Sequence, residues 1–320
     1  MPKRNWVVGV DFGGTNIKVG LVNRAGRVLA VEVLPAKSHA APQPFVQGIS
    51  EAVARLLRAR AITRAALRGA AVGAPGPVDH ARGVVRSMVN VPGWHDVPLG
   101  RLLARRLGCE ALVENDVNLM ALGEARFGAG RGAQHLVCVT LGTGVGGGLI
   151  VNGALDRGAS GAAGEIGHMV IDPDGPRCGC GARGCLEAHV GTAAILRMAR
   201  RAGFLQRGLT PAHLSEAARP HTNLVGVGAR RRNRDARRLW REFGGWLGLG
   251  VANAVNLLNP QRVVIGGGVA NAWPFFAPAL RRTVRAHALP PAARVVQVVR
   301  AQLGDHAGIA GAAVLLWNEL

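Results

Sequence analysis

The sequence has no tyrosine, 3 lysines among its 39 basic residues, 19 acidic residues, 5 cysteines and no long apolar run. Each scarcity excludes something. Aromatic residues make up 4% of the chain, too few for the stacking platforms on which single-strand nucleic-acid binders hold bases. The shortage of carboxylates leaves a formal charge of +20, but the basic residues other than Lys3, Lys18 and Lys37 are all arginine. Such a one-sided choice, alongside abundant Ala and Gly, follows from GC-rich coding more simply than from phosphate contact. Basicity alone speaks to solubility and non-specific association, so no nucleic-acid partner is expected. The longest apolar stretch, Ala307 to Trp317, is about half of the roughly 20 residues a spanning helix needs. The apolar run after Pro2-Lys3-Arg4 stops at Asp11, too soon for an export signal. The expectation is a cytoplasmic protein without membrane contact.

Core-forming residues are plentiful. Hydrophobic residues at 48% against charged residues at 18% exclude a disordered polymer, because this chain can bury enough apolar area to offset its ordering entropy. A length of 320 residues suggests two domains at roughly 150 residues each.

Val7 to Val10, Ile17 to Val22 and Val28 to Val33 read as three strands of an opening meander,. Phe45, Val46, Ile49, Val53, Leu56 and Leu57 fall at helical spacing, which predicts a helix from about Pro44 to Arg60,. Strand Leu67 to Val72 follows, then a helix with Pro98 in its first turn and a stop at Gly108, then strand Glu110 to Val113,. His135 to Leu141 and Val145 to Val151 repeat the strand, glycine turn, strand theme of the opening, which suggests duplicated halves facing a cleft. Helices are predicted over Ala193 to Arg201, Arg234 to Leu258, Pro274 to His287 and from Ala307, with a strand over Arg262 to Ile265. The segment Gln206 to Arg234, with Arg230-Arg231-Arg232, reads as a solvated helical insert,. The fold class is α/β in two lobes.

Chemistry concentrates in five places. Asp11-x-Gly13-Gly14-Thr15 puts two glycines and a hydroxyl between strands, where backbone N–H groups can approach phosphate and Asp11 can face hydrated Mg²⁺,. An ordinary hairpin turn is the alternative. Gly142-Thr143-Gly144 supplies the same residue types again, and two clamps fit a nucleotide better than one. Gly266-Gly267-Gly268 follows a strand, where α/β folds bind ligands, or where a helix packs closely,. Glu114-Asn115-Asp116 presents a carboxylate and an amide at a strand end, so Asp116 suits a general base, a helix N-cap, or both,. Finally, Gly164-Glu165-Ile166-Gly167-His168 precedes Cys178-x-Cys180-x₄-Cys185. Three thiolates and one imidazole compose a closed structural zinc set, with reduced buried thiols or a redox pair as alternatives. Glu165 and Glu187 bracket this loop, and convergent carboxylates with an amide and an imidazole suit sugar hydroxyls. Cys109 and Cys138 lie in apolar strands and read as inert,.

These motifs, together with Gly73-Ala-Pro75-Gly76-Pro-Val-Asp79, Leu141 to Gly148 and Leu303-Gly-Asp-His-Ala-Gly308, occur in the order seen in the ROK family of bacterial sugar kinases and repressors, which the sequence therefore resembles. The resemblance covers almost the whole chain. It implies a two-lobed actin-like ATPase (ribonuclease H-like) fold with a cleft between lobes. The lobes would be residues 1–117 plus 305–320, and 118–304 with the zinc loop. It implies ATP-dependent phosphorylation of a hexose 6-hydroxyl, with glucose first and N-acetylglucosamine or N-acetylmannosamine next. Polyphosphate as donor and a non-enzymatic sugar-responsive repressor are the further alternatives. The strand beginning by Trp6 leaves no room for the repressors' helix-turn-helix,.

By the same resemblance Asp116 is the base, and Gly76, Asn90, Asn115, Glu165, His168 and Glu187 also bind sugar. Asp11, Gly13, Gly14, Thr15, Lys18, Gly142, Thr143 and Gly144 serve phosphate and Mg²⁺, and Gly266, Gly267 and Gly268 serve adenosine. His168, Cys178, Cys180 and Cys185 hold structural Zn²⁺, with His168 serving metal and sugar through different ring nitrogens. ATP with Mg²⁺, a small-molecule sugar and a homodimer or homotetramer complete the implied set. His306 departs from the pattern, since relatives often carry Asp there.

Overall fold

The computed structural model describes residues 4–88, 91, 93–205, 207–219 and 227–317, with residues 227–231 described for backbone alone. In chain order the strands are β1 (Trp6–Phe12), β2 (Asn16–Asn23), β3 (Val28–Pro35), β4 (Leu67–Ala74), β5 (Val78–Asp79), β6 (Val84–Ser87), β7 (His95–Val97), β8 (Glu110–Asn115), β9 (Leu136–Leu141), β10 (Val145–Val151), β11 (Ala154–Asp156), β12 (Arg262–Gly266) and β13 (Gln297–Arg300). The helices are α1 (Pro42–Ala59), α2 (Leu99–Leu107), α3 (Asp116–Phe127), α4 (Leu186–Val190), α5 (Thr192–Arg201), α6 (Pro211–Ala218), α7 (Val227–Leu258), α8 (Trp273–His287), α9 (Pro290–Val295) and α10 (Ala307–Trp317). The chain divides into two compact units, Met1–Gln134 with Gly148–Ala163 and Gln302–Leu320, and His135–Gly147 with Gly164–Ala301.

The first unit is built on a sheet of order β3-β2-β1-β4-β8. The antiparallel meander β1-β2-β3 forms as the three apolar runs predict, and β4 and β8 extend it in parallel. Because side chains alternate along β1, Val8, Val10 and Phe12 enter the core shared with α1 and α2, while Val7 packs with α10,. Phe12, Phe45 and Trp94 close the first core, with ring centroids 4.7 to 5.6 Å apart. On the opposite face α10 lies directly on the strands. A side chain at Gly9 would run into the backbone of Ile309. The short strands β5, β6 and β7 form a separate antiparallel sheet that no sequence pattern announces.

The second unit contains the parallel strands β9, β12 and β13 in that order. Its core is aromatic: Trp240 and Phe243 on α7 and Phe276 on α8 are fully buried against one another. The segment expected to be a solvated insert is partly packed among the described residues. Leu214 and Ala218 of α6 are buried, and the buried Asn233 amide donates to the carbonyls of Ala217 and Arg219. No helix of the described residues is long and apolar enough to cross a membrane.

Glu124 on α3 is fully buried. Its Oε2 accepts the N–H groups of Ala129 at 2.7 Å and Gln302 at 3.1 Å, and its Oε1 accepts Leu303 N–H at 2.7 Å. One carboxylate thus satisfies three backbone donors in two connecting segments. Glu124→Ala leaves them unpaired and is expected to lower unfolding stability by about 3 kcal/mol or more. Urea denaturation checks this, and a loss below about 1 kcal/mol contradicts it.

Candidate functional site

In the first unit the β1–β2 turn is open where the sequence places a phosphate clamp. Gly13 N–H donates to Asn16 O at 3.0 Å, while a Cβ on Gly14 would meet nothing within 4 Å. Thr15 is exposed, and its carbonyl accepts Ala36 N–H at 3.0 Å. Asp11 and Lys18 face each other in strand register, and Lys18 Nζ reaches Asp305 Oδ1 at 2.9 Å. Gly308 of α10 lies over Asp11, where an added Cβ would make ordinary contact with the Asp11 carboxyl carbon at 3.6 Å. Burial raises the Asp11 carboxyl above its ordinary range. Lys18 opposes this shift and Asp305 adds to it,. His306 is exposed in the turn before α10.

At the end of β8 the chain turns directly into α3. Asn115, not Asp116, is the N-cap: its Oδ1 accepts Val117 N–H at 2.9 Å and Asn118 N–H at 3.2 Å. The cap reading of Asp116 is therefore corrected by one residue. Asn is as good a cap as Asp, and the strand runs on through Asn115,. Asp116 is the first helical residue, half-buried, and its Oδ1 accepts Val117 N–H at 3.0 Å. The Asn115 amide reaches Gly76 O at 3.4 Å, which brings two expected sugar ligands together. Asn90 lies outside the described residues.

The residue that organises this corner is Glu114, which is buried. Its Oε1 accepts Asn115 N–H at 2.9 Å and Asn118 Nδ2 at 3.0 Å. Its Oε2 accepts Arg157 Nε at 2.8 Å and lies 3.4 Å from His80 Nδ1, which also lies 3.0 Å from Val113 O. A buried charge needs such pairing. No local pattern marks Arg157 or His80, whose partners are distant along the chain.

In the second unit, the turn between β9 and β10 closes on itself through Gly142 N–H to Gly144 O at 3.0 Å, with Thr143 exposed at its tip. Glu187 Oε2 accepts Val145 N–H at 2.9 Å, and a side chain at Gly144 would collide with that carboxylate. After β12, Gly267 has φ of +82°, and a Cβ there would strike the backbone of Leu141. The close neighbour of Gly267 is thus the end of strand β9 rather than a helix,. Gly268 faces open space, and Gly266 ends the strand, buried.

The cysteine loop brings four potential metal ligands together. Cys178 N–H donates to Ala182 O at 2.8 Å, Gly181 N–H to Cys178 O at 3.1 Å and Gly184 N–H to Pro176 O at 2.9 Å, which wraps the chain tightly. One ligand atom each from His168, Cys178, Cys180 and Cys185 lies within 4.8 Å of all the others. Cys180 Sγ to Cys185 Sγ and Cys178 Sγ to His168 Nδ1 are both 3.7 Å. A tetrahedron with metal–sulfur bonds of about 2.3 Å has edges of about 3.8 Å, so the set fits Zn²⁺. Burial pushes the Cys178 thiol up and the Cys185 thiol to about 12, whereas the Ala182 backbone donor holds Cys180 down. His168 Nε2, the nitrogen away from Cys178, lies 3.9 Å from Glu165 Oε2. Glu165 is exposed and Glu187 half-buried. Cys138 is fully buried and Cys109 partly so, and burial raises the Cys109 thiol.

The sequence matches the ROK family over residues 7–319. It is 36% identical to a glucokinase of Thermotoga maritima, over 100% of this chain and 99% of the relative. Among solved structures, a ROK family glucokinase from Streptomyces griseus in complex with glucose and AMPPNP superimposes with a TM-score of 0.81 at 34% identity, covering 97% of this chain and 98% of that one. A ROK hexokinase from Thermus thermophilus does so with a TM-score of 0.76 at 33% identity, covering 98% of each chain. The α/β architecture is thus that of the actin-like ATPase class, and the chain belongs to the ROK family.

Proposed function

We propose that this protein is an ATP-dependent hexose kinase that phosphorylates glucose at its 6-hydroxyl. The observation that carries this is the end-to-end similarity to a glucokinase whose structure holds glucose and AMPPNP, with Asp116 at the start of α3 beside the Asn115 cap. The Asp116 carboxylate takes the proton of the sugar hydroxyl as its oxygen attacks the γ-phosphorus. The bond to the bridging oxygen breaks, and ADP leaves with that electron pair. Gly76, Asn90, Asn115, Glu165, His168 and Glu187 orient the sugar.

The Gly13–Thr15 and Gly142–Gly144 turns offer backbone donors and hydroxyls to phosphate, Lys18 adds a positive charge, and Gly266, Gly267 and Gly268 receive the adenosine. Asp11 would hold Mg²⁺ that arrives with the nucleotide, and the ion would supply charge neutralisation to the phosphates. His168, Cys178, Cys180 and Cys185 would hold a structural Zn²⁺, which would supply rigidity to the loop,.

Asp116→Asn keeps the size of the side chain and removes the proton acceptor. Its kcat is expected to fall roughly a thousandfold, with glucose affinity measured by calorimetry little changed. Turnover within a few-fold of the parent contradicts the assignment, and a preference for N-acetylglucosamine or N-acetylmannosamine in the same assay moves the substrate.

Asp11 gives a pH prediction. A carboxyl raised by burial loses stabilising free energy as pH climbs from its unfolded value through its higher folded value, because the folded state binds the proton more tightly. Asp11→Asn is therefore expected to raise Tm of the free protein at pH 7 while weakening Mg²⁺-nucleotide binding. A lower Tm with unchanged nucleotide binding contradicts this.

A further inference from the structure

The kinase reading treats the cysteine loop as a support for the sugar site. The contacts around it reach the nucleotide turn as well. Helix α4 begins immediately after Cys185, which is its N-cap, and its second residue is Glu187. That carboxylate holds Val145 N–H through Oε2, while its Oε1 lies 3.7 Å from Cys178 Sγ. The helix closes with Gly191 N–H donating to Glu187 O at 2.8 Å. A side chain at Gly191 would crowd the carbonyl of Thr143 at 3.2 Å. Thr192, the first residue of α5, then donates twice to the carbonyl of Gly142, from its backbone N–H at 3.1 Å and its hydroxyl at 2.7 Å. A side chain at Gly167, next to His168, would collide with the carbonyl of Val145. The turn from Gly142 to Val145 therefore lies against the loop, the short helix that grows out of it and the first residue of α5.

We propose that the junction of α4 and α5, seated on the metal loop, holds the Gly142–Val145 turn in its nucleotide-binding shape, with Thr192 as the positioning residue. Thr192 acts by fixing the Gly142 carbonyl, so that the turn's N–H groups and the Thr143 hydroxyl keep their direction. The inference rests on the kinase reading, since it assumes that this turn meets the nucleotide.

Full-length zinc-loaded protein is compared with Thr192→Val, which keeps the branched shape and loses the hydroxyl, and with Thr192→Ser, which restores the hydroxyl. Affinity for a non-hydrolysable ATP analogue, KM for glucose and zinc content are measured for each. The Val variant is expected to bind the analogue roughly fivefold more weakly, the effect of one net hydrogen bond. Glucose KM and zinc content should stay unchanged, and Ser should recover the parent affinity. Zinc-stripped parent protein is expected to lose analogue affinity too. Unchanged analogue binding in both the Val variant and the stripped protein overturns the inference alone, as does an equal loss for sugar and nucleotide that Ser fails to rescue. A parent protein that binds neither nucleotide nor glucose overturns the kinase reading, and this inference with it.

Discussion

The geometry of the candidate base depends on the burial of one carboxylate that is not itself the base. Glu114 sits inside the first unit with both oxygens engaged, by Arg157 and by the backbone and amide donors of Asn115 and Asn118. Taking a carboxylate out of water costs several kcal/mol unless its lone pairs are met. Here two of the partners that meet them, Asn115 and Asn118, stand at the start of α3. The strand end, the Asn115 cap and the first helical position of Asp116 are therefore fixed together. A small shift at this corner would misaim a proton acceptor that must lie within hydrogen-bond reach of its hydroxyl.

The same device recurs elsewhere in the chain. Glu124 holds the N–H groups of two connecting segments, and Glu187 holds the turn after β9. Carboxylates are scarce, 19 in 320 residues, and several are spent inside the molecule on backbone donors rather than on pairing surface arginines. Other acidic residues pair with arginines nearer the surface, as Glu32 with Arg55 and Asp79 with Arg86, and the arginines remain in excess at a net charge of +20.

Much of this was legible in the sequence because local chemistry dictated it. The apolar runs between turns marked β1, β2 and β3, and the Cys178, Cys180 and Cys185 spacing with His168 identified the ion-sized cluster now seen within 4.8 Å. Three things were not legible. Strands β5, β6 and β7 have 2 to 4 residues each, too few for a periodic signal. Helix α4 has five residues and takes its start from Cys185, so no stretch of apolar spacing marks it. The partners Arg157, His80 and Thr192 act across 33 to 50 residues of sequence, and only the folded chain shows which backbone or carboxylate they serve. The one-residue cap correction at Asn115 has the same origin: two adjacent good caps look alike until strand pairing settles where the helix starts.

The central claim is that this chain moves a phosphoryl group from ATP to the 6-hydroxyl of glucose. Phosphorus NMR of the purified protein incubated with ATP, Mg²⁺ and glucose tests it most directly. The predicted products are ADP and a sugar phosphate esterified at the 6-position, formed in equal amounts. Consumption of ATP to ADP and inorganic phosphate without a sugar ester, or no consumption at all, would contradict it.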